Sequence, residues 1–273
     1  MKINKKQIKI LNSKSLDDFL KNIEFYVDIF LEDGVFALRD ANFTYLEQKE
    51  AMINFGSKIK WFPNNDHKFY LSYKENHANN FHYQSTSSDD VIFTWHLEHL
   101  DYENPIIGAT WNMIKFSCMP NAGKTLFLDM SKVYSSFDND WKDFLSKCTY
   151  KTSFDNKDIN IKCLQKHWNT KEIVYRHEFC HKTELALFNE SKPSQKEIDK
   201  YKKIVRYTQS LVNNNSLVLK HQWKQGDIVF VDLFKMAHSV TGGFDPKERE
   251  FIGLWARETS NYASAEGFNT NEL

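Results

Sequence analysis

The sequence TWHLEHLDYENPIIGATWNMIKFSCMPNAGKTLFLDM, residues 94–130, begins with two side chains that can bind a metal and continues into apolar segments. His96 and Glu98 are separated by one residue, and on an extended strand this spacing places both side chains on one face. An imidazole from a distant part of the chain would complete a set of two nitrogens and one carboxylate. Such a facial triad leaves coordination positions open and is typical of non-haem Fe(II) sites. The stretch therefore predicts a metal site at the end of a strand.

A second pair of the same form overlaps the first, because His99 and Asp101 are also separated by one residue. The chain has 10 His and 36 acidic residues, so about one such pair is expected by chance. The spacing alone leaves two questions open. Either pair could bind the metal, and either could be a polar strand end that faces solvent.

Composition limits the classes of partner. Lys plus Arg equals Asp plus Glu, at 36 each, so no excess of charge indicates nucleic acid or an anionic membrane. We expect a small-molecule partner, no nucleic acid and no membrane, and a homo-oligomer is left open. With 273 residues, 41% of them hydrophobic, the chain can bury a sizeable core, and we expect one domain over residues 1–273.

Cysteine spacing and the N-terminal segment indicate a cytoplasmic protein. The four cysteines form no CxxC pair, which argues against a zinc ribbon or a dense disulfide framework; they are Cys118, Cys148, Cys163 and Cys180. Residues 1–19 are basic but lack the apolar core of a signal peptide, and no apolar stretch is long enough to span a membrane.

The first part of the chain predicts a helix, a strand and a second helix. Ser15 is a typical N-cap, apolar residues follow at helical spacing, and Gly34 ends the helix. Residues 35–38 form a strand-like apolar run, and the next helix is expected to stop at Gly56. No glycine-rich phosphate turn lies between these elements.

The remainder predicts mainly β structure. Residues 61–90 lack periodicity and read as a long loop, of the kind that forms a lid or substrate wall, with one short strand near residues 69–73. Helical patterns cover residues 131–146 and 192–211. Short β-type runs bounded by turn residues occupy residues 106–116, 125–128, 172–177, 185–188, 216–219, 227–231 and 250–255. We therefore expect a mainly β fold with flanking helices, a double-stranded β-helix of the jelly-roll, cupin-like type.

A candidate third ligand lies near the C-terminus. His238 follows the strand-like residues 228–232, and Arg249 comes eleven residues later. The histidine could close the metal site opposite the first pair, and a guanidinium can hold a carboxylate through two hydrogen bonds. Read alone, a histidine such as His238 is more often an ordinary partly buried residue than a metal ligand.

Residues 177–181, HEFCH, match the HExxH signature of zinc peptidases. That chemistry needs both histidines on one helical turn, whereas strand-like residues flank this motif on both sides. On an extended chain, His177 and His181 would lie about 13 Å apart at roughly 3.3 Å per residue, too far to share one zinc ion. The zinc peptidase is therefore a minor alternative.

Taken in order, the motifs make the chain resemble the TauD/TfdA family of Fe(II)- and 2-oxoglutarate-dependent dioxygenases. The resemblance covers most of the chain and is carried by Leu38-Arg39-Asp40, Gln48, Phe55-Gly56, Trp95-His96-x-Glu98, Asn104-Pro105, Gly108-Ala109, Gly123-Lys124-Thr125 and the segment from His238 to Arg249. The spacing from the acid to Pro105 fits Glu98 and fails for Asp101. The resemblance thus implies His96, Glu98 and His238 as Fe(II) ligands.

The same resemblance implies Thr125 and Arg249 as the residues that hold the distal carboxylate of the co-substrate 2-oxoglutarate. Trp95, His82 and Phe93 are the expected substrate-pocket residues. Trp95, Trp111 and Phe116 could also shield the site, although aromatic residues on the strands of a sandwich are more often part of the core.

The implied activity is hydroxylation of a small polar metabolite by dioxygen, with release of succinate and CO2. Glu98, where many members carry Asp, resembles the clavaminate-synthase and asparagine-oxygenase branch and suggests an amino-acid-like substrate. Taurine-using members carry a second arginine at the position of Gly253, so taurine is not expected. The alternative from another class is a jelly-roll binding protein that has lost its chemistry.

Overall fold

The computed structural model describes residues 6–59, 61, 69–72, 95–98, 106–118, 121–154, 157–176, 184–187, 192–212 and 217–257. The helices in these residues are α1 (Leu16–Lys21), α2 (Ile23–Asp33), α3 (Tyr45–Lys58), α4 (Met130–Ser135), α5 (Asn139–Leu145) and α6 (Gln195–Leu211). The strands are β1 (Lys6–Gln7), β2 (Lys9–Asn12), β3 (Val35–Arg39), β4 (Phe69–Ser72), β5 (Ile106–Cys118), β6 (Thr125–Asp129), β7 (Cys148–Phe154), β8 (Lys157–Lys162), β9 (Leu164–Lys166), β10 (Ile173–Tyr175), β11 (Glu184–Leu187), β12 (Val218–His221), β13 (Ile228–Val231), β14 (Met236–Val240) and β15 (Phe244–Arg257).

Two sheets form the centre of the fold. The major sheet has the strand order β2-β3-β13-β5-β15-β4, and the minor sheet has the order β1-β12-β6-β14. Buried residues from both sheets share one apolar cluster, hereafter the interior cluster; its members include Val35, Trp111, Phe127, Val229, Met236 and Trp255. Two sheets around a common interior, with helices outside, confirm the predicted jelly-roll fold.

The outer face of the major sheet is covered by α1, α2 and α3. Successive residues of β3 alternate between the two faces, so Val35 faces the interior cluster while Phe36 faces the helices. The ring of Phe36 stacks on Phe230 at 4.9 Å, and Phe19 of α1 also stacks on Phe230, at 5.2 Å. This aromatic packing holds strands β3 and β13 against the helices.

Two predicted helices are each divided in the structure. The helix predicted from Ser15 to Gly34 breaks at Asn22, whose side-chain amide donates to the backbone oxygen of Asp18 at 2.8 Å. The helix predicted over residues 131–146 breaks before α5, where the carboxylate of Asp138 accepts from the backbone N–H of Trp141 at 2.7 Å. In both places a short polar side chain competes for backbone hydrogen bonds, which apolar periodicity does not register.

The other helix ends follow the expected signals with one exception. Gly34 ends α2 in the left-handed region, at φ 73°, and Ser15 accepts from the N–H of Asp18 as the predicted N-cap. The exception is Gly56, which does not stop α3: the helix begins at a capping box between Thr44 and Glu47 and continues to Lys58. Gly56 is buried within this helix.

Several strands were absent from the sequence prediction. β1 and β2 pair in parallel with β12 and β3, and β7 pairs with β8 in an outer sheet with β11. Of the predicted loop over residues 61–90, the structure describes only residue 61 and β4, which confirms the short predicted strand. None of the helices in the described ranges combines the length and apolar character needed to cross a membrane. The cytoplasmic location stays a prediction.

Candidate active site

His96 and His238 lie opposite each other on an antiparallel bridge between the 95–98 segment and β14. The N–H of His96 donates to the oxygen of His238 at 3.1 Å, and the N–H of His238 donates to the oxygen of His96 at 2.9 Å. Residues paired in this way point their side chains to the same face, and the two imidazole rings are 4.1 Å apart. Backbone pairing thus joins two histidines that are far apart in sequence.

Glu98 completes this group. Its Oε2 lies 3.6 Å from Nε2 of His96 and 3.4 Å from Nε2 of His238. Burial alone would raise the pKa of Glu98, but the facing imidazoles of His238 and His96 outweigh it and hold the pKa well below its ordinary value. The carboxylate is therefore ionised at neutral pH.

The three side chains offer ligand atoms that all lie within 4.8 Å of one another, a group that could hold a metal ion. Burial, and then the nearby His96, lower the pKa of His238 to about 4, so its imidazole is neutral at physiological pH. Neutral imidazole and ionised carboxylate are the forms that bind metals. Two nitrogens and one carboxylate match the donor set of a non-haem Fe(II) centre.

Trp111 forms a wall next to this group. The centre of its ring lies 5.2 Å from the ring centre of His238. It also stacks on Phe127, with the two ring centres 6.2 Å apart. Trp111 lies on β5 of the major sheet, whereas Phe127 and His238 are paired across β6 and β14 of the minor sheet. The metal-capable residues therefore lie at the edge of the interior cluster.

Arg249 lies on the interior face of β15, and a bulge in β5 places Phe116 on the same face opposite it. On β15, Arg249 and Phe251 are two residues apart, but their partners on β5, Phe116 and Met113, are three apart. The extra residue, Ile114, is exposed and reverses the alternation, so Met113 is part of the interior cluster and the partly buried Phe116 packs against it. Without the bulge, Phe116 would face the opposite side of the sheet.

The guanidinium of Arg249 is buried among aromatic rings. It lies 5.2 Å from the centre of Phe244 and 5.4 Å from that of Phe251. Burial lowers the pKa of Arg249 to about 10, which still leaves it charged at neutral pH. No described residue forms an ion pair with it, and its Nε lacks a hydrogen-bond partner among them. A buried cation without a counter-charge is costly, so this position suits an anionic ligand.

Thr125 lies near the start of β6, two residues before Phe127, and is buried. Its hydroxyl oxygen accepts a hydrogen bond from the indole N–H of Trp223 at 2.8 Å. The ring of Phe116, which lies opposite Arg249, approaches this end of β6. A Cβ on Gly123, two residues before Thr125, would lie 2.8 Å from Cζ of that ring. Thr125 and Arg249 thus belong to neighbouring parts of the interior.

Behind Trp223 lies a buried polar network that the sequence analysis did not identify. The ring of His221 meets Trp223 edge to face at 4.5 Å, and its Nε2 is 3.1 Å from the carboxylate of Asp227. Asp227 is also 2.9 Å from Nε of Arg39. Arg39 occurs in one of the motifs that carry the family resemblance, whereas His221 and Asp227 do not, so no sequence signal indicated that these three side chains meet.

The predicted pocket residues have different outcomes. Trp95 is buried with Leu97 in the larger core cluster, on the alternate positions to His96 and Glu98, and its pocket role stays a prediction. His82 and Phe93 lie outside the described residues, as does the HExxH segment at residues 177–181. On either side of that segment the structure describes strands β10 and β11, not helices.

Comparisons with known structures agree with this fold. A taurine dioxygenase from Burkholderia xenovorans has a TM-score of 0.63 at 13% identity, with 95% of this chain and 92% of that chain covered. AAD-2 in complex with Mn(II) and N-oxalylglycine has a TM-score of 0.63 at 14% identity, covering 96% of this chain and 100% of that chain. A putative α-ketoglutarate-dependent 2,4-D dioxygenase from Burkholderia xenovorans has a TM-score of 0.62 at 12% identity, covering 95% and 98%.

No curated protein is similar enough in sequence to match the chain. The family described as taurine catabolism dioxygenase TauD, TfdA family does match, over residues 6–255. This range contains the motifs identified in the sequence and both main sheets, except for the last two residues of β15. It also argues against the zinc peptidase. The chain belongs to the TauD/TfdA family and is a 2-oxoglutarate-dependent dioxygenase.

Proposed function

We propose that this chain uses Fe(II), 2-oxoglutarate and dioxygen to hydroxylate a small, polar, amino-acid-like metabolite other than taurine. The observation that carries the proposal is the convergence of His96 and His238 on Glu98, in an interior that also holds the buried guanidinium of Arg249. The first group supplies donors for Fe(II), and Arg249 supplies positive charge for a dicarboxylate.

Fe(II) would be held by the imidazoles of His96 and His238 and by the carboxylate of Glu98. The donor set supports this assignment, because it combines two nitrogens with one oxygen and leaves coordination positions for other ligands. The backbone bridge between the two histidines supports it as well, since it fixes both rings before any metal binds.

The distal carboxylate of 2-oxoglutarate would be held by Arg249 and Thr125. Arg249 can donate two hydrogen bonds to one carboxylate, and its aromatic surroundings keep water from competing. Thr125 accepts from Trp223, which leaves its own hydroxyl hydrogen to donate to the carboxylate. N-Oxalylglycine, present in the AAD-2 structure, is an analogue of 2-oxoglutarate and is a suitable non-reactive probe.

When bound, iron and 2-oxoglutarate supply the oxidation: the co-substrate is converted to succinate and CO2, and one atom of dioxygen enters a C–H bond of the substrate. The protein's own residues position the reactants and exclude water. Trp111, beside His238, and Phe116, opposite Arg249, shield the interior from solvent.

The substrate proposal depends on Gly253. In taurine-using relatives an arginine at this position binds the sulfonate, and a glycine offers no such contact. Arg257 is four residues further along β15, or about 13 Å at roughly 3.3 Å per residue. A sulfonate without a cationic partner in a desolvated pocket would lose several kcal/mol (about 2–7). Glu98 in place of Asp favours the amino-acid-like class.

We further propose that residues 1–273 form one domain. The two main sheets include strands from both ends of the described chain, β1 and β15, and the interior cluster includes residues from Ile8 to Trp255. A single core shared by both ends of the described chain supports one folding unit.

The metal assignment is tested by anaerobic titration of Fe(II) and 2-oxoglutarate. The weak visible charge-transfer band of this complex should appear for the wild type and for Asp101→Asn, and should be lost in Glu98→Gln. Asp101 lies outside the described residues, but it belongs to the overlapping His-x-acid pair and so is the matched control. Loss of the band in Asp101→Asn with retention in Glu98→Gln would reverse the assignment. No band in the wild type would favour the inactive binding protein.

The substrate proposal is tested by screening amino acids and related polar metabolites for substrate-dependent succinate formation. A hydroxylated amino-acid-like product, identified by mass spectrometry, is the expected result. Taurine is assayed in parallel for sulfite release under air. Efficient, saturable sulfite release would contradict the exclusion of taurine while leaving the dioxygenase chemistry intact.

A further inference from the structure

Gly253 faces the interior of the fold next to the candidate metal group. It is paired with Trp111 across β15 and β5, and the ring of Trp111 lies 5.2 Å from His238. Residues 249, 251, 253 and 255 lie on the same face of β15, because alternate residues of a strand share a face. A side chain at position 253 would therefore enter the region between Arg249 and Trp111.

The space above Gly253 is occupied by the indole of Trp255. A Cβ on Gly253 would lie 2.7 Å from Cη2 of Trp255 and 3.1 Å from both Cζ2 and Cζ3. Contacts of 2.7 Å are far inside van der Waals distance, so the six-membered ring lies directly over the glycine. Trp255 is 8% exposed and belongs to the interior cluster, so the ring has little freedom to move away.

The backbone does not explain the glycine. The glycines with positive φ among the described residues are Gly34, Gly123, Gly226 and Gly243. Gly253 is not among them, so its conformation is one that any residue can adopt. What excludes a side chain at this position is the tryptophan two residues later.

We propose that Trp255 is a specificity-determining residue, which fills the place of an anion-binding side chain and excludes substrates that carry a sulfonate or carboxylate at this end. The inference rests on the proposed function, because it assigns the ring to the substrate side of that site. The face of an indole carries negative partial charge, so it repels anions and tolerates uncharged or cationic groups. The substrate end that reaches Trp255 is therefore uncharged or bears an ammonium group.

Four proteins test the proposal: wild type, Gly253→Arg, Trp255→Ala and the double variant. Thermal unfolding of the metal-free proteins is the first measurement. Gly253→Arg should lower Tm, because its Cβ meets the ring. In the double variant, arginine should restore part of the Tm lost by Trp255→Ala, since it enters the space that the ring has left. A Gly253→Arg protein with the same Tm as the wild type would overturn the proposal, as would strictly additive changes in Tm in the double variant.

Taurine binding is the second measurement, made by calorimetry on each protein with Mn(II) and N-oxalylglycine. The double variant should bind taurine at least about tenfold more tightly than the wild type, since it gains a charge-assisted contact and loses the aromatic face. Gly253→Arg alone should bind it no better than the wild type. A double variant that binds N-oxalylglycine normally but shows no gain for taurine would overturn the proposal.

The two measurements separate this inference from the proposed function. Tm coupling between positions 253 and 255 requires neither metal nor co-substrate. If the Tm coupling is present but N-oxalylglycine does not bind the wild type, the proposed function fails and, with it, the substrate role of Trp255. If N-oxalylglycine binds and the coupling is absent, only the inference fails.

Discussion

Trp223 donates its indole N–H to the hydroxyl oxygen of Thr125 at 2.8 Å, inside the fold and away from solvent. An indole can only donate, so this contact fixes the hydroxyl as an acceptor and frees its hydrogen for another partner. If Thr125 binds the distal carboxylate of 2-oxoglutarate, then Trp223 is a positioning residue that orients the donor before the co-substrate arrives.

Trp223→Phe should therefore weaken co-substrate binding without unfolding the protein. One neutral hydrogen bond contributes about 1 kcal/mol, so the Kd of N-oxalylglycine should rise about fivefold. Trp168→Phe is the matched control, because the Trp168 indole also donates to a buried segment, the backbone oxygen of Ile59 at 3.4 Å, away from the co-substrate residues. Equal effects of the two substitutions on Kd would contradict the positioning role.

Arg249→Gln should raise the Kd of 2-oxoglutarate by at least about tenfold, since a hydrogen bond to a charged group contributes roughly 1.5–3 kcal/mol. Arg249→Lys should recover only part of the loss, because an ammonium cannot make the paired contact of a guanidinium. Calorimetric titration measures both. Arg206→Gln, on the exposed side of α6, removes the same charge at a distance and should leave Kd unchanged. Unchanged binding in Arg249→Gln would refute the role of Arg249.

The residues of the candidate site could be proposed from the sequence, whereas its local geometry could not. His96, Glu98 and His238 could be proposed from spacing and motif order, because metal-binding chemistry depends on residue type. The bulge at Ile114, which turns Phe116 inward opposite Arg249, interrupts a strand that reads as continuous. Its position depends on pairing with a strand that lies more than a hundred residues away in sequence, and local patterns carry no such information.

The same limit explains where the fold predicted from the sequence differs from the structure. Periodicity located the helical regions but did not detect the breaks at Asn22 and before Asp138, which depend on single side-chain hydrogen bonds. It also missed β1 and β2, because these short basic segments become strands only by pairing with distant partners. Conversely, Gly56 predicts a helix stop but lies buried within α3, because tertiary context overrides its low helix propensity.

Asp232→Asn should destabilise the turn that leads into β14, the strand that carries His238. Nδ1 of His167 accepts from the N–H groups of Asn169 and Thr170, at 3.2 and 3.0 Å, so its Nε2 carries the hydrogen and donates to Asp232 at 2.9 Å. The other oxygen of Asp232 accepts from the N–H of Phe234 at 3.1 Å. Both oxygens thus face donors, and an asparagine in either orientation would turn its NH2 group toward one of them.

The expected cost is about 2 kcal/mol in the free energy of unfolding, within the range of one unsatisfied buried donor. Denaturant unfolding measures it as a lower midpoint with an unchanged slope. Asp199→Asn, on the exposed surface of α6, is the control and should change stability by less than about 0.5 kcal/mol. An Asp232→Asn protein as stable as this control would show that the two oxygens of Asp232 are not both required as acceptors.

Gly108→Ala should be strongly destabilising, which gives a physical reason for the Gly108-Ala109 motif. A Cβ on Gly108 would lie 2.1 Å from Cζ2 and 2.2 Å from Cε2 of Trp61, so the ring packs directly on the backbone of β5. The ring cannot easily shift, because it is fully buried and meets Phe30 at 5.5 Å and Phe55 at 5.7 Å. Overpacking a rigid core typically costs about 1–3 kcal/mol, and we expect a cost in the upper part of this range because the backbone lies so close to the ring.

Trp61→Phe supplies a smaller ring, so the double variant should lose less stability than the sum of the two single substitutions. Denaturant unfolding of all four proteins tests this coupling, and additive losses would show that Trp61 is not the group that requires glycine at position 108.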